Sequence, residues 1–193
     1  MDIVSHILTA NLGSIYLSSK FTNIRRMPIL AAGIIPDFGE ILIQTHLSQK
    51  FGTEFGVYDT RTSDVSIASQ LSTTWLYDVL HSPILVIFCL LISTRCNNRL
   101  KYIIQSFGFG LLFHILLDFC THGKVWALKL FFPISNKRFP IFSDSIGNWW
   151  DWTPKLSLPF VSYGFPLFNI LYILFILFLT IYFQKCQQNL KQL

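Results

Sequence analysis

Charged residues are scarce in this sequence. Lys, Arg, Asp and Glu make up 13% of its 193 residues, about half the share found in soluble domains. Hydrophobic residues make up 52%, and a single domain of this length has too little interior to bury them all away from water. The composition therefore argues against a water-soluble protein and predicts one integral membrane domain covering residues 1–193.

Paired cysteines and a basic face are also lacking. The four cysteines form no Cys-x-x-Cys motif, so the sequence predicts neither a zinc knuckle nor a disulfide framework. The net charge of +5 is spread between apolar runs rather than gathered on one face with base-reading side chains. We therefore expect no nucleic-acid partner.

Five apolar segments are candidates for helices that cross the membrane: residues 3–19, 27–45, 73–94, 102–123 and 165–183. A crossing helix needs ~20 apolar residues to span a ~30 Å hydrocarbon core. The segment 165–183 has no charge, whereas 27–45 contains Gly33 and Pro36 and is expected to break there. The shortest, 3–19, either crosses or lies in the interface. The predicted fold is an all-α polytopic bundle of four to five spans.

The basic residues indicate the orientation of this bundle. Three stretches hold Lys and Arg without any acid: Lys20, Arg25 and Arg26; Arg95, Arg99 and Lys101; Lys185 and Lys191. Short cytoplasmic loops accumulate such residues. We therefore expect the chain to lie in the cytoplasmic (inner) membrane, with its C-terminus in the cytoplasm. The proline-rich residues 124–164 are then predicted to form an irregular extracytoplasmic loop.

This threading brings the ionisable residues of the spans to one depth, near the outer boundary. They are His6, Asp37, Glu40, Asp78, His81, His114, Asp118 and His122. Ionisable side chains inside a membrane are costly, and they usually face one another, a cavity or an ion. Their common depth is the main sign of a functional site.

The spacing of these residues favours a metal centre. His114 and Asp118 are four apart, and Asp78 and His81 are three apart, so each pair shares one face of a helix. Together with His6 and Asp37 they offer imidazole nitrogens and carboxylate oxygens without a thiolate, a set that suits Zn²⁺ or Mn²⁺. Such a metal could activate water for hydrolysis.

Two other interpretations use the same residues. Histidines in membrane helices also join helices by hydrogen bonds, so the cluster could belong to a non-catalytic membrane protein. A metal or proton carrier is the third possibility, but residues 102–113 offer only Gln105 and Ser106 as a polar path. The carrier is therefore the least favoured.

Five short motifs, in this order, resemble the membrane-bound metal-dependent hydrolase family that includes LexA-regulated inner-membrane proteins. They are Asp2-Ile-Val-Ser-His6, Gly33-Ile-Ile-Pro36-Asp37, His81-Ser82, His114-Ile-Leu-Leu-Asp118-Phe-Cys-Thr121-His122-Gly123 and Phe132-Pro133-Ile134-Ser135. The resemblance implies a divalent-metal hydrolase whose ligands are His6, Asp37, His81, His114 and Asp118.

The sequence departs from the family pattern at two points. The family often has Pro-Asp-x-Asp, but here Phe38 and Gly39 follow Asp37, and Glu40 is the nearest further carboxylate. The family also often has His-Arg ahead of the His81 motif, and this chain does not. A second metal and a phosphate-binding arginine are therefore left open.

We expect the substrate to be a membrane lipid or a lipid-linked ester or phosphoester, because the site lies at the depth of lipid headgroups. In this scheme Asp78 or Glu40 acts as general base or orients a ligand. The predicted function is hydrolysis at the outer face of the cytoplasmic membrane.

Overall fold

The computed structural model describes residues 3–38, 74–121, 128–139, 155–158 and 161–190. Six helices and one hairpin make up this part of the chain: α1 (Ile3–Lys20), α2 (Arg26–Ala32), α3 (Thr74–Leu80), α4 (Pro83–Ser93), α5 (Asn98–Thr121), β1 (Lys155–Leu158), β2 (Val161–Pro166) and α6 (Leu167–Leu190). The fold is predominantly helical, as predicted.

Within the described residues, two helices are long and apolar enough to cross a membrane: α5 (Asn98–Thr121) and the Ile170–Asn189 part of α6. They correspond to the predicted spans 102–123 and 165–183. Much of α6 carries large apolar side chains on its exposed surface: Leu171, Leu174, Phe175, Phe178 and Ile181. An apolar surface of this size is costly in water and suits hydrocarbon surroundings.

The predicted span 73–94 is not one helix. It is divided at His81 and Ser82, and α4 has only 11 residues, or about 16 Å of helix. The local sequence explains the break, because proline disfavours helical backbone in the residue before it. Ser82 is extended, and its hydroxyl caps α4 by accepting from the Ile84 N–H at 3.2 Å.

The segment 27–45 also breaks, as Gly33 and Pro36 predict. Helix α2 ends at Ala32, a turn follows, and helical backbone resumes at residues 35–38. Gly33 lies so near α1 that a Cβ there would come within 2.7 Å of the Ala10 Cβ. The missing side chain therefore lets this break lie directly against the first turns of α1.

The helices α1, α2, α4 and α5 pack around two small apolar cores. One contains Ala32, Val86, Cys89, Leu111, Ile115 and Leu128, and the other Ala10, Leu17 and Ile29. Gly110 permits the close contact of α5 with α2, because a Cβ there would overlap the carbonyl oxygen of Ile29. This packing brings the C-terminal half of α5 beside the break after α2.

Helix α6 lies beside α1 and runs parallel to it. The hydroxyl groups of Thr9 and Tyr172 are 2.8 Å apart, and further along both helices Gln187 Nε2 donates to the carbonyl oxygen of Ile15 at 3.2 Å. The two helices therefore end on the same side of the bundle.

The structure corrects the prediction that residues 124–164 form only an irregular loop. Strands β1 and β2 pair antiparallel, with Lys155 opposite Pro166 and Leu158 opposite Val161. The sequences of both strands alternate between apolar and small or polar residues, the two-residue period that is typical of a strand. The prolines of this region obscured that short pattern.

Candidate metal centre

The five predicted ligands come from four separate parts of the bundle. His6 lies in the first turns of α1, Asp37 follows the break after α2, His81 stands in the α3–α4 break, and His114 and Asp118 lie one turn apart in α5. All five are buried, with at most 5% of the residue exposed. The two breaks and the start of α1 thus surround one face of α5.

The side chains of these five residues converge. The Asp118 carboxylate is at the centre, with Oδ1 at 3.0 Å from His6 Nε2 and Oδ2 at 3.2 Å from His81 Nε2 and 3.0 Å from His114 Nε2. His114 Nε2 also lies 3.1 Å from His81 Nε2 and 3.6 Å from Asp37 Oδ1. We call these five residues the His/Asp cluster.

Backbone carbonyls fix the tautomers of two of the histidines. His81 Nδ1 is 2.8 Å from the carbonyl oxygen of Tyr77, and His114 Nδ1 is 3.1 Å from that of Gly33. A carbonyl oxygen only accepts, so each Nδ1 carries the proton and donates it. In the neutral rings the lone pair is then on Nε2, the atom that faces the centre of the cluster.

This arrangement gathers hydrogen-bond acceptors around one point. The Nε2 lone pairs of His81 and His114 face each other and the oxygen Oδ2 of Asp118. Acceptors that are buried together repel one another unless a cation lies between them. A cation at this point, either a proton shared among the rings or a metal ion, would relieve that repulsion.

The donor set fits a divalent metal. Ligands bound at ~2.0–2.2 Å in tetrahedral or octahedral geometry are about 2.8–3.6 Å apart, and the contacts of the His/Asp cluster span 3.0–3.6 Å. In the part of the chain that the structure describes, two overlapping groups could hold an ion: His6, His114 and Asp118, and Asp37, His81 and His114. Both groups use His114. Its Nδ1 atom already bonds a carbonyl oxygen, so only Nε2 can bind an ion, and the two groups describe one centre.

Ring contacts hold the imidazoles in place. The His6 and His114 rings stack with centroids 3.8 Å apart, and Tyr77 stacks on His81 at 3.9 Å. Within the described part of the chain, His6 Nδ1 has no hydrogen-bond partner. The ring of His6 is therefore held by stacking and by Asp118, not by a carbonyl.

Asp78 lies outside the two ligand groups. Its Oδ2 atom is 2.6 Å from the ammonium of Lys129, so the carboxylate is held in an ion pair. Of the two roles predicted for Asp78, the geometry favours the orienting one over that of general base. The other candidate base, Glu40, lies outside the described residues.

Sequence reasoning missed four groups, from three residues, that support the cluster. They are the carbonyl and ring of Tyr77, the carbonyl of Gly33 and the ammonium of Lys129. Tyr77 could have been found because it lies one helical turn before His81. Lys129 had a weaker signal, since Asp78 in an apolar segment needs a cation but nothing local shows which one.

No family model, curated protein or solved structure matches this chain. The hydrolase resemblance therefore depends on the short motifs and stays a hypothesis, and the ligand roles stay predictions. What the structure contributes is the convergence of the motif residues in space.

Proposed function

We propose that the chain is a membrane-embedded, divalent-metal-dependent hydrolase. The observation that carries this proposal is the convergence of three imidazoles and two carboxylates, from four parts of the chain, on one buried point. Two buried carboxylates carry a charge that one divalent cation would balance. The charge and the donor set of the cluster therefore suit a divalent metal.

A divalent metal supplies Lewis acidity, which lowers the pKa of water and polarises a carbonyl or phosphoryl group. The residues of this chain do the rest. His81 and His114 present Nε2 because carbonyls hold their Nδ1 protons, and Asp118 joins the histidines of three segments. We assign the general base to Glu40, close to Asp37 in sequence, and the orienting role to Asp78.

The depth of the cluster supports a lipid or lipid-linked ester or phosphoester as substrate. Helix α1 has 18 residues, about 27 Å of helix, with His6 in its first turns and Lys20 as its last residue. Helix α5 likewise has Arg99 near its start and Asp118 in its last turn. In a bilayer of ~30 Å, the cluster and the basic residues would therefore lie toward opposite boundaries.

We further propose four to five spans in the cytoplasmic membrane, with the C-terminus inside and the cluster toward the outer face. The spans would be α1, the broken segment after Arg26, the α3–α4 pair, α5 and α6. The chain just before α2 contacts α5, because the Arg25 backbone N–H donates to Ser106 Oγ at 2.8 Å. This contact supports the proposal that the basic residues of α2 and α5 lie on the same side of the membrane.

Reporter fusions test this orientation. A reporter fused after Lys191 should be located in the cytoplasm, and one inserted near Asp59 should be located outside, because Lys and Arg are retained on the cytoplasmic side. The opposite result at both positions would reverse the bundle and move the cluster to the cytoplasmic leaflet.

Hydrolysis is tested with the detergent-purified, metal-loaded protein and two chromogenic probes, a long-chain ester and a long-chain phosphodiester. We expect the wild type to release product from at least one probe and Asp118→Asn from neither. Cys120→Ser is the matched control, since Cys120 is an exposed residue of the same helix and its change should leave the rate intact. Equal rates for wild type and Asp118→Asn on both probes would contradict the proposal.

A further inference from the structure

Residues Leu128–Phe139 form a compact segment that closes on itself. The Phe139 N–H donates to the Leu128 carbonyl at 3.1 Å, and the Phe132 N–H donates to the Lys129 carbonyl at 3.0 Å. The rings of Phe131 and Phe139 meet edge to face at 5.4 Å. Leu128 is buried in the apolar core that α4 and α5 share, so the segment is anchored in the bundle.

This segment contacts the α3–α4 break on both sides of His81. Before His81, the Asp78 carboxylate pairs with the Lys129 ammonium at 2.6 Å. After it, Ser82 Oγ donates to the Phe132 carbonyl at 2.8 Å. His81 therefore lies between two residues, Asp78 and Ser82, that both contact the segment 128–139.

The ion pair is buried, with 13% of the Lys129 side chain and 4% of the Asp78 side chain exposed. The Lys129 ammonium also lies 5.5 Å from the centre of the Phe132 ring. Removing two charges from solvent costs about as much as their attraction returns, so a buried pair contributes little net stability. This pair instead joins the last turn of α3, just before His81, to Lys129.

We infer that Lys129 is a positioning residue for the metal centre: its ion pair with Asp78 holds the break so that His81 Nε2 points at Asp118. This inference rests on the proposed function for its metal, but not for the placement of the His81 ring. Two further residues support the same break. Ser82 donates to the Phe132 carbonyl, and Tyr77 stacks on the His81 ring and accepts from its Nδ1 through the backbone carbonyl.

The test measures Co²⁺ affinity, by competition with a chromophoric chelator, in detergent-purified variants. Lys129→Met should weaken binding about 10- to 100-fold, the usual effect of losing a partner that orients a ligand, and Lys129→Arg should restore most of it. Lys137→Met is the matched control, because Lys137 is an exposed lysine of the same segment that lies over the Phe139 ring, and its affinity should equal that of the wild type.

The double variant Asp78→Asn with Lys129→Met guards against misfolding, since it leaves neither charge buried alone. If the pair acts as a unit, the double variant binds Co²⁺ about as weakly as Lys129→Met. Wild-type Co²⁺ affinity in the double variant would overturn the inference. So would a Lys129→Met protein whose unfolding midpoint is lowered but whose Co²⁺ affinity equals that of the wild type.

Nuclear magnetic resonance of ¹⁵N-histidine-labelled protein separates this inference from the proposed function. In metal-free wild type the His81 ring should show one tautomer, protonated at Nδ1, and both Lys129→Met and the double variant should lose it. A wild type that binds no Co²⁺ would refute the metal proposal, while the His81 signal would still decide the positioning role. An unchanged His81 signal in both variants would refute that role.

Discussion

Removal of bound metal should lower the thermal unfolding midpoint of the wild-type protein by about 8–16 °C. A ligand present at a thousand times its dissociation constant stabilises the folded state by ~4 kcal/mol, and each kcal/mol moves the midpoint of a chain of this size by ~2–4 °C. The physical reason lies in the cluster. The metal would lie between the Asp118 carboxylate and the Nε2 atoms of the three histidines that face it, an arrangement that exists only in the folded state.

The measurement is a pair of melting curves in detergent, with metal in excess and with a chelator in excess. His114→Ala is the control, because a variant that cannot assemble the ligand set should melt at the same temperature in both buffers. A wild type with the same midpoint in both buffers would favour a cluster that only joins helices.

The second large effect is expected for Asp118→Asn. Asparagine has the shape of aspartate but loses the charge, and it presents an amide group with two donors toward the three imidazoles. Because Asp118 contacts His6, His81 and His114, we expect the Co²⁺ affinity to fall by more than about 100-fold, beyond the effect of losing an orienting partner.

The structural alternative makes the opposite prediction for the same variant. If Asp118 only hydrogen-bonds neighbouring helices, an asparagine retains groups that can do so, and stability should change little. Cys120→Ser, an exposed position of the same helix, controls for purification and detergent effects. Wild-type Co²⁺ affinity in Asp118→Asn would exclude Asp118 as a ligand.

The sequence signals that place the five predicted ligands near one another were local. His114 and Asp118 are one helical turn apart, and such spacing places two side chains on one face regardless of the rest of the fold. Gly33 and Pro36 marked the break after α2 by their backbone chemistry alone. The common depth of His6 and His81 followed from counting residues along apolar segments.

The parts that sequence reasoning missed depend on distant pairing or on short patterns. The ion pair of Asp78 with Lys129 joins residues that are far apart in the chain, and no periodicity marks such a partner. The span 73–94 looked continuous because its composition is apolar throughout, although Pro83 after Ser82 carried the sign of a break. The hairpin of β1 and β2 was hidden because its strands are shorter than the window in which alternation becomes clear.

The central claim is that the His/Asp cluster holds a divalent metal. Metal analysis of the detergent-purified wild type against His114→Ala tests it most directly, after both proteins have been equilibrated with Zn²⁺ and Mn²⁺ and freed of unbound ions. The account predicts about one metal ion per wild-type chain, as expected for a single centre with one ligand set, and almost none in the variant. A folded wild type that retains no more metal than His114→Ala would contradict it.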